Sequence, residues 1–165
     1  MTGDYQTGKG DEGSPVFCAD GMLGKLARWL RFMGFDTVYA GSESTDQQII
    51  TYVKDKGMIL ITSDRLMASM YRDSVLISSN AISDQIRAVI SCFRPDPGKF
   101  MTRCSACNSL LRGINVESMD PRVPDSVKEN HLAVMECPGC GRFYWQGTHY
   151  RSIIMKLNSI LGDYH

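Results

Sequence analysis

The sequence predicts an α/β protein: a small parallel sheet flanked by helices, followed by a small zinc-binding module and a final helix. Three observations predict it. Short β-branched or apolar runs alternate with amphipathic segments across residues 16–93, the order that builds strand-helix-strand crossovers. Two C-x-x-C pairs follow, Cys104 with Cys107 and Cys137 with Cys140, separated by 29 residues. Beyond them Ile153, Ile154, Leu157, Ile160 and Leu161 recur at helical spacing.

Residues 1–15 hold Gly, Asp and Lys without an apolar run, which reads as a polar tail and not a secretory signal. Val16-Phe17-Cys18-Ala19 is the first strand. Residues 23–33 follow as a helix. At about 100° per residue, Leu23, Leu26, Ala27, Leu30 and Met33 share one arc, while Lys25, Arg28 and Arg31 occupy the other. Trp29 and Phe32 fall among the basic residues. A strand over 37–40 leads to a helix over 46–56, where Thr45 and Gln48 form a T-x-x-Q capping box and Ile49, Ile50 and Val53 supply the buried stripe. A strand at 58–61, a helix at 64–71, a strand at 75–77 and a helix at 82–93 complete the unit. Connections of this length require helical crossovers, so the strands run parallel with helices on both faces. Pro95, Pro97 and Gly98 make 94–103 a linker. Residues 104–148 are too few for a core of their own, and bound metal supplies their folding energy. Residues 149–165 are a helix that packs back on the rest, and a tail. Cys18 and Cys92, each in an apolar context, read as buried structural cysteines.

The chain has 165 residues, 43% of them hydrophobic and 22% charged, which excludes collagen-like, mucin-like and largely disordered classes. Lysine and arginine number 18, as do aspartate and glutamate, so a polyanion must be met by a local patch. Apolar runs such as Met58-Ile59-Leu60-Ile61 fall well short of a membrane span. A cytoplasmic location is expected, where disulfides are rare.

Zinc takes four soft ligands at tetrahedral corners, and each C-x-x-C turn presents two thiolates to one ion. Cys104, Cys107, Cys137 and Cys140 are therefore the expected zinc ligands, with Gly139 and Gly141 suited to a left-handed turn. Two disulfides or a redox pair are the alternatives. In an open parallel sheet, functional groups collect beyond the carboxyl ends of the strands. That rule selects Asp20 after the first strand, Asp64 after the third, Asp84 ahead of the last helix and Asp46 opening the second. Converging carboxylates call for a hard dication, Mg or Mn, and the chemistry that results is metal-assisted phosphodiester hydrolysis. The bland reading of Asp46, Asp64 and Asp84 is helix capping. Asp20 resists it, because an acid just after a buried strand is costly unless something binds it. Asp36, Glu43, Asp55 and Asp73 look merely exposed. Lys25, Arg28 and Trp29 are candidates for gripping single-stranded RNA by phosphate contact and base stacking, against the alternative that Trp29 and Phe32 are simply covered. The histidines, His131, His149 and His165, all lie outside the first unit, which excludes a Ser-His-Asp arrangement there. For His149, packing between module and helix competes with a role as base or phosphate contact.

The run Phe17-Cys18-Ala19-Asp20-Gly21-Met22-Leu23-Gly24-Lys25-Leu26-Ala27-Arg28-Trp29-Leu30-Arg31, then Gly34-Phe35-Asp36, Asp46 and Leu60-Ile61-Thr62-Ser63-Asp64, resembles the PIN-like ribonuclease family named after the C-terminal domain of mutator-seven exonucleases. Arg103-Cys104-x2-Cys107-Asn108, Arg122-Val123-Pro124, Cys137-Pro138-Gly139-Cys140-Gly141 and Tyr144-Trp145-x-Gly147-x-His149 resemble its zinc ribbon. The resemblance implies a PIN-like fold with an acidic metal pocket, ribonuclease activity and an attached ribbon. Asp20, Asp46 and Asp64 match the family's acidic positions, and Asp84-Gln85 a polar pair ahead of its last core helix. The chain departs from the pattern at Ser63, where the family often has Arg, and at Gln47, where it often has an acid. Those departures favour the competing expectation, a non-catalytic RNA- or ribosome-binding adaptor that uses the ribbon. A toxin-like nuclease is a third.

Overall fold

The computed structural model describes residues 14–41, 43–114, 121–130 and 133–162. By its packing the chain forms two compact units, Met1–Asn108 and Ser109–His165.

In the first unit, β1 (Val16–Ala19), α1 (Gly24–Phe32), β2 (Asp36–Tyr39), α2 (Asp46–Lys56), β3 (Ile59–Thr62), α3 (Arg65–Met70), β4 (Ser74–Leu76) and α4 (Ile82–Ile90) alternate without exception. The four strands are parallel in the order β2-β1-β3-β4. The pleat divides the core. Cys18 and Leu60 face Ile49, Ile50 and Val53 of α2 and Met67 of α3. Phe17 points the other way and meets Phe35 and Phe93 edge-on, 5.3 and 5.1 Å between ring centres; these two follow α1 and α4, which pack together. Helices thus cover both faces, as right-handed crossovers in this strand order require.

Local signals set the element ends. The Thr45 hydroxyl accepts from the Gln48 N–H while the Gln48 side chain accepts from the Thr45 N–H, the expected capping box at α2. Gly57 ends that helix with φ 61°. After α1, Gly34 takes φ 87°, and a Cβ there would sit 2.5 Å from the Lys99 carbonyl oxygen. Segment 94–103 is accordingly docked on the end of α1: Phe100 packs on Phe32 and the Met101 N–H donates to the Phe32 carbonyl at 2.7 Å.

Three expectations need correction. Arg31 is buried, not on a solvent arc; it borders Ala27 on the helix and is drawn inward by backbone carbonyls that need donors. Asp36 is half-buried and ion-paired with Arg103 at 3.1 Å. Cys92 is exposed, because Ile86, Val89, Ile90 and Phe93 supply the inward face of α4 and its following turn, and position 92 falls opposite them.

The second unit holds β5 (Arg112–Ile114), α5 (Asp125–Glu129), β6 (Val134–Glu136), β7 (Phe143–Trp145) and α6 (Thr148–Gly162). Its strands are antiparallel in the order β5-β6-β7. Its core is small: Val123, Val127 and Val134 against Ile114, Phe143 and Trp145. The Arg122 guanidinium covers the Phe143 ring at 4.9 Å, and Arg112 pairs with Glu136 directly across the strands at 2.8 Å. Among the described residues no helix is long and apolar enough to cross a membrane.

Candidate active site and metal centre

The chain leaves β1 for β2 on one side, then returns past β1 to β3 on the other. This reversal opens a crevice at the carboxyl ends of β1 and β3, and Asp20 stands there. Its N–H extends the strand pairing by donating to the Ile61 carbonyl at 3.0 Å. The residue is 7% exposed, and its carboxylate receives three donors. The Met22 N–H reaches Oδ1 at 3.0 Å; the Thr62 hydroxyl and the Ser63 N–H, the latter at 3.2 Å, reach Oδ2. The charge is thus compensated by hydrogen bonds despite its burial. Burial first, and the Asp20 charge second, push the neighbouring Cys18 thiol up to about 11.

Thr62 is the hub of this end. Wholly buried, it donates to Asp20 and accepts from the Asp64 N–H at 3.0 Å. Asp64 in turn caps α3, its Oδ1 accepting from the Met67 N–H at 2.9 Å. The structure therefore joins Asp20 and Asp64 through one hydroxyl. Asp46 is exposed at the first position of α2, and its carboxylate has no hydrogen-bond partner among the described residues. Asp84 is exposed near the start of α4, accepting from Ser79 at 2.9 Å and pairing with Arg87 at 3.2 Å. Among the described residues, the group of three or more metal-ligating side chains close enough for one ion is the four-cysteine cluster. Lys25 and Arg28 are exposed on α1 and Trp29 is half-buried. His149 is exposed in the first turn of α6, whereas His131 and His165 lie outside the described residues.

The sulfur atoms of Cys104, Cys107, Cys137 and Cys140 all lie within 4.8 Å of one another. Zn–S bonds of about 2.3 Å to tetrahedral corners put sulfurs about 3.8 Å apart, so the set fits zinc. The two turns are built alike. The Cys107 and Cys140 N–H groups point to the Cys104 and Cys137 sulfurs at 3.5 and 3.4 Å. The residue after each pair bonds back, Asn108 to the Cys104 carbonyl and Gly141 to the Cys137 carbonyl, both at 2.9 Å. Each takes a left-handed backbone, φ 73° at Asn108 and 68° at Gly141. Gly141 was expected there; Asn108 is the matching residue that sequence reasoning missed. None of the six cysteines is in a disulfide.

The first cysteine turn is bound into its unit by a polar seam. Arg31 donates from Nε to the Thr37 carbonyl at 2.8 Å and from one terminal nitrogen to the Ala106 and Ser105 carbonyls at 2.8 and 3.3 Å. The Asn108 side chain accepts from the Thr37 N–H at 3.1 Å and donates to Asp36 at 2.7 Å. Because β2 is an edge strand, Asn108 and Arg31 satisfy backbone groups that a further strand would otherwise pair. Burial lowers the Arg31 pKa from its ordinary value, opposed by the nearby Cys104 and Cys107 charges, with Arg28 lowering it further and Asp36 raising it.

A parallel α/β sheet with an acid at its reversal point, carried in a chain with four close cysteines that could hold a zinc ion, defines the class: a mixed α/β protein with a four-cysteine cluster. Residues 15–157 match the Mut7-C RNAse domain, and the chain belongs to that family. Its PIN-like description extends naturally from the same match, and the family sets the chain among ribonuclease-type proteins. No curated protein and no solved structure gave a significant match.

Proposed function

We propose that this chain is a metal-dependent ribonuclease that hydrolyses single-stranded RNA at the carboxyl end of its parallel sheet. One observation carries the reading: Asp20, buried at the reversal point, is held by three donors and tied through Thr62 to Asp64. Magnesium is commonly held by one or two carboxylates, with waters and substrate phosphates completing the shell. Asp20 and Asp64 offer hard oxygens of that kind, with Asp46 and Asp84 contributing to the acidic field at the mouth. A bound Mg or Mn supplies charge stabilisation at the scissile phosphodiester and an activated water. The chain's own residues position it. The Met22 N–H and the Thr62 hydroxyl fix the two Asp20 oxygens, and the capping bond to Met67 holds Asp64 in one rotamer. Lys25, Arg28 and Trp29 lie on α1, which starts just beyond Asp20, and serve the RNA strand. Residues 16–93 act as the nuclease domain, 94–103 as a connecting segment and 104–148 as a structural zinc ribbon that also serves as a docking module for a ribosome or protein partner. Cysteines outside disulfides accord with a cytoplasmic location.

The competing reading, a non-catalytic RNA-binding adaptor, draws on Ser63 and Gln47 and on the exposure of Asp46 and Asp84. Cleavage of an end-labelled single-stranded RNA by zinc-loaded protein separates the two. Cleavage in Mn or Mg that is lost when both are omitted and in Asp20→Asn is expected. RNA binding without cleavage, the same with and without added Mn or Mg, establishes the adaptor instead.

A further inference from the structure

The carboxyl end of the sheet carries large apolar side chains in the open: Met22 is 84% exposed, Leu66 70% and Tyr39 41%. Single exposed apolar residues are ordinary on any protein, so their placement decides the matter. Met22 lies two residues beyond Asp20 and its N–H holds the Asp20 carboxylate. Leu66 lies two residues beyond Asp64. Tyr39 pairs in register with Ala19, the residue before Asp20. All three therefore stand on the segments that carry, or pair beside, the groups assigned to phosphodiester chemistry.

The Tyr39 ring is also fixed in advance. Its hydroxyl donates to the Gly21 carbonyl at 2.8 Å, and a Cβ on Gly24 would lie 3.3 Å from the ring, so the glycine is what lets the ring lie against the start of α1. An aromatic face held this way loses little freedom when a ligand stacks on it. Each flanking apolar residue has an exposed cation close by in sequence, Lys25 after Met22 and Arg65 before Leu66. An unpaired nucleotide has the complementary make-up, one π face and one anion, whereas a duplex hides its bases and offers phosphates alone.

We infer that Tyr39, with Met22 and Leu66, forms a base-binding ledge for unpaired RNA nucleotides beside Asp20, with Lys25 and Arg65 taking the adjacent phosphates. The sequence had pointed to Trp29 for stacking; Tyr39 is the ring that the fold sets beside the acid. The inference rests on the nuclease reading for what happens to the strand, not for the binding itself.

The test is fluorescence anisotropy of zinc-loaded protein with a labelled twelve-nucleotide single-stranded RNA in buffer without Mg or Mn, where cleavage is off, against the same sequence as a perfect duplex. Base-aromatic stacking makes Tyr39→Ala about 5- to 100-fold weaker for the single strand, with duplex binding unchanged. Tyr39→Phe keeps the ring but not its bond to the Gly21 carbonyl and binds the single strand more tightly than Tyr39→Ala, and Met22→Ser weakens the single strand independently of Tyr39. Equal affinity of Tyr39→Ala and wild type, equal wild-type affinity for duplex and single strand, or no wild-type binding overturns the ledge. Tyr39-dependent binding in a protein that never cleaves RNA refutes the nuclease reading and leaves the ledge standing. Divalent-dependent cleavage with KM unchanged in Tyr39→Ala does the reverse.

Discussion

Replacing Arg31 by methionine keeps the apolar stem of the side chain while deleting the guanidinium and every donor. Two bonds at 2.8 Å are lost, to the Thr37 and Ala106 carbonyls, together with a weaker one at 3.3 Å to Ser105. The Arg31 side chain is 6% exposed, so water does not fully replace them. Hydrogen bonds to a charged donor contribute about 1.5–3 kcal/mol each, so the two short ones together give about 3–6 kcal/mol. With a urea dependence of about 2 kcal/mol per molar for a small protein, the unfolding midpoint falls by about 1.5–3 M. Arg31→Lys recovers little, since one ammonium cannot reach carbonyls on both β2 and the cysteine turn in the manner of a planar guanidinium. The assay is urea denaturation of zinc-loaded protein, followed by the loss of tryptophan fluorescence, alongside competition for zinc by a chromogenic chelator. Zinc should leave the methionine variant more readily, because the turn bearing Cys104 and Cys107 has lost its anchor. A midpoint shift below about 0.5 M with zinc retention unchanged would refute the argument that Arg31 ties this turn to β2.

Gly34→Ala forces a side chain into φ 87° and against the Lys99 backbone at 2.5 Å; a loss of about 2–4 kcal/mol in thermal unfolding is expected, and a neutral result would show that segment 94–103 does not dock there. Removing zinc with a strong chelator, or the substitution Cys137→Ser, should release the amide protection of β5, β6 and β7, since so small a core holds little on its own. The Cys18 thiol is raised from 9.0 to about 11 in the fold, so the native chain binds its proton more tightly than the unfolded one. That contribution to stability is complete below about pH 9 and is lost as the pH climbs towards 11. Cys18→Ala should flatten this alkaline limb in denaturant titrations across pH, and an unaltered limb would place the titration elsewhere.

The parts of the fold carried by local chemistry were legible in the sequence. Thr45 and Gln48 announced the start of α2, the apolar stripe of Ile49, Ile50 and Val53 announced its buried face, and residues 58–61 read as the strand that the fold sets at Ile59–Thr62. Asp20 was legible for the same reason: a carboxylate directly after a buried strand has few stable situations. The polar seam was not legible. Arg31 reaches the carbonyls of residues 74 and 75 positions away, and no periodicity encodes that; on a helical wheel it looks like any exposed cation. Asn108 hid behind its cysteines, although a second turn ending in Gly141 gave a hint that its own left-handed position needed an occupant. Thr62 carried a usable signal, a lone hydroxyl closing an apolar strand two residues before an acid. Cys92 misled because apolar neighbours in sequence are not neighbours in space once a helix turns them away.

If the carboxyl end of the parallel sheet holds a divalent ion through Asp20, manganese binding reveals it without any assumption about the RNA. Electron paramagnetic resonance of free Mn, titrated with zinc-loaded protein, reads the ion directly. The wild-type chain should remove the free-ion signal, while Asp20→Asn, folded by circular dichroism, should leave it in place. Equal Mn uptake by both proteins, or none by the wild type, would contradict the assignment.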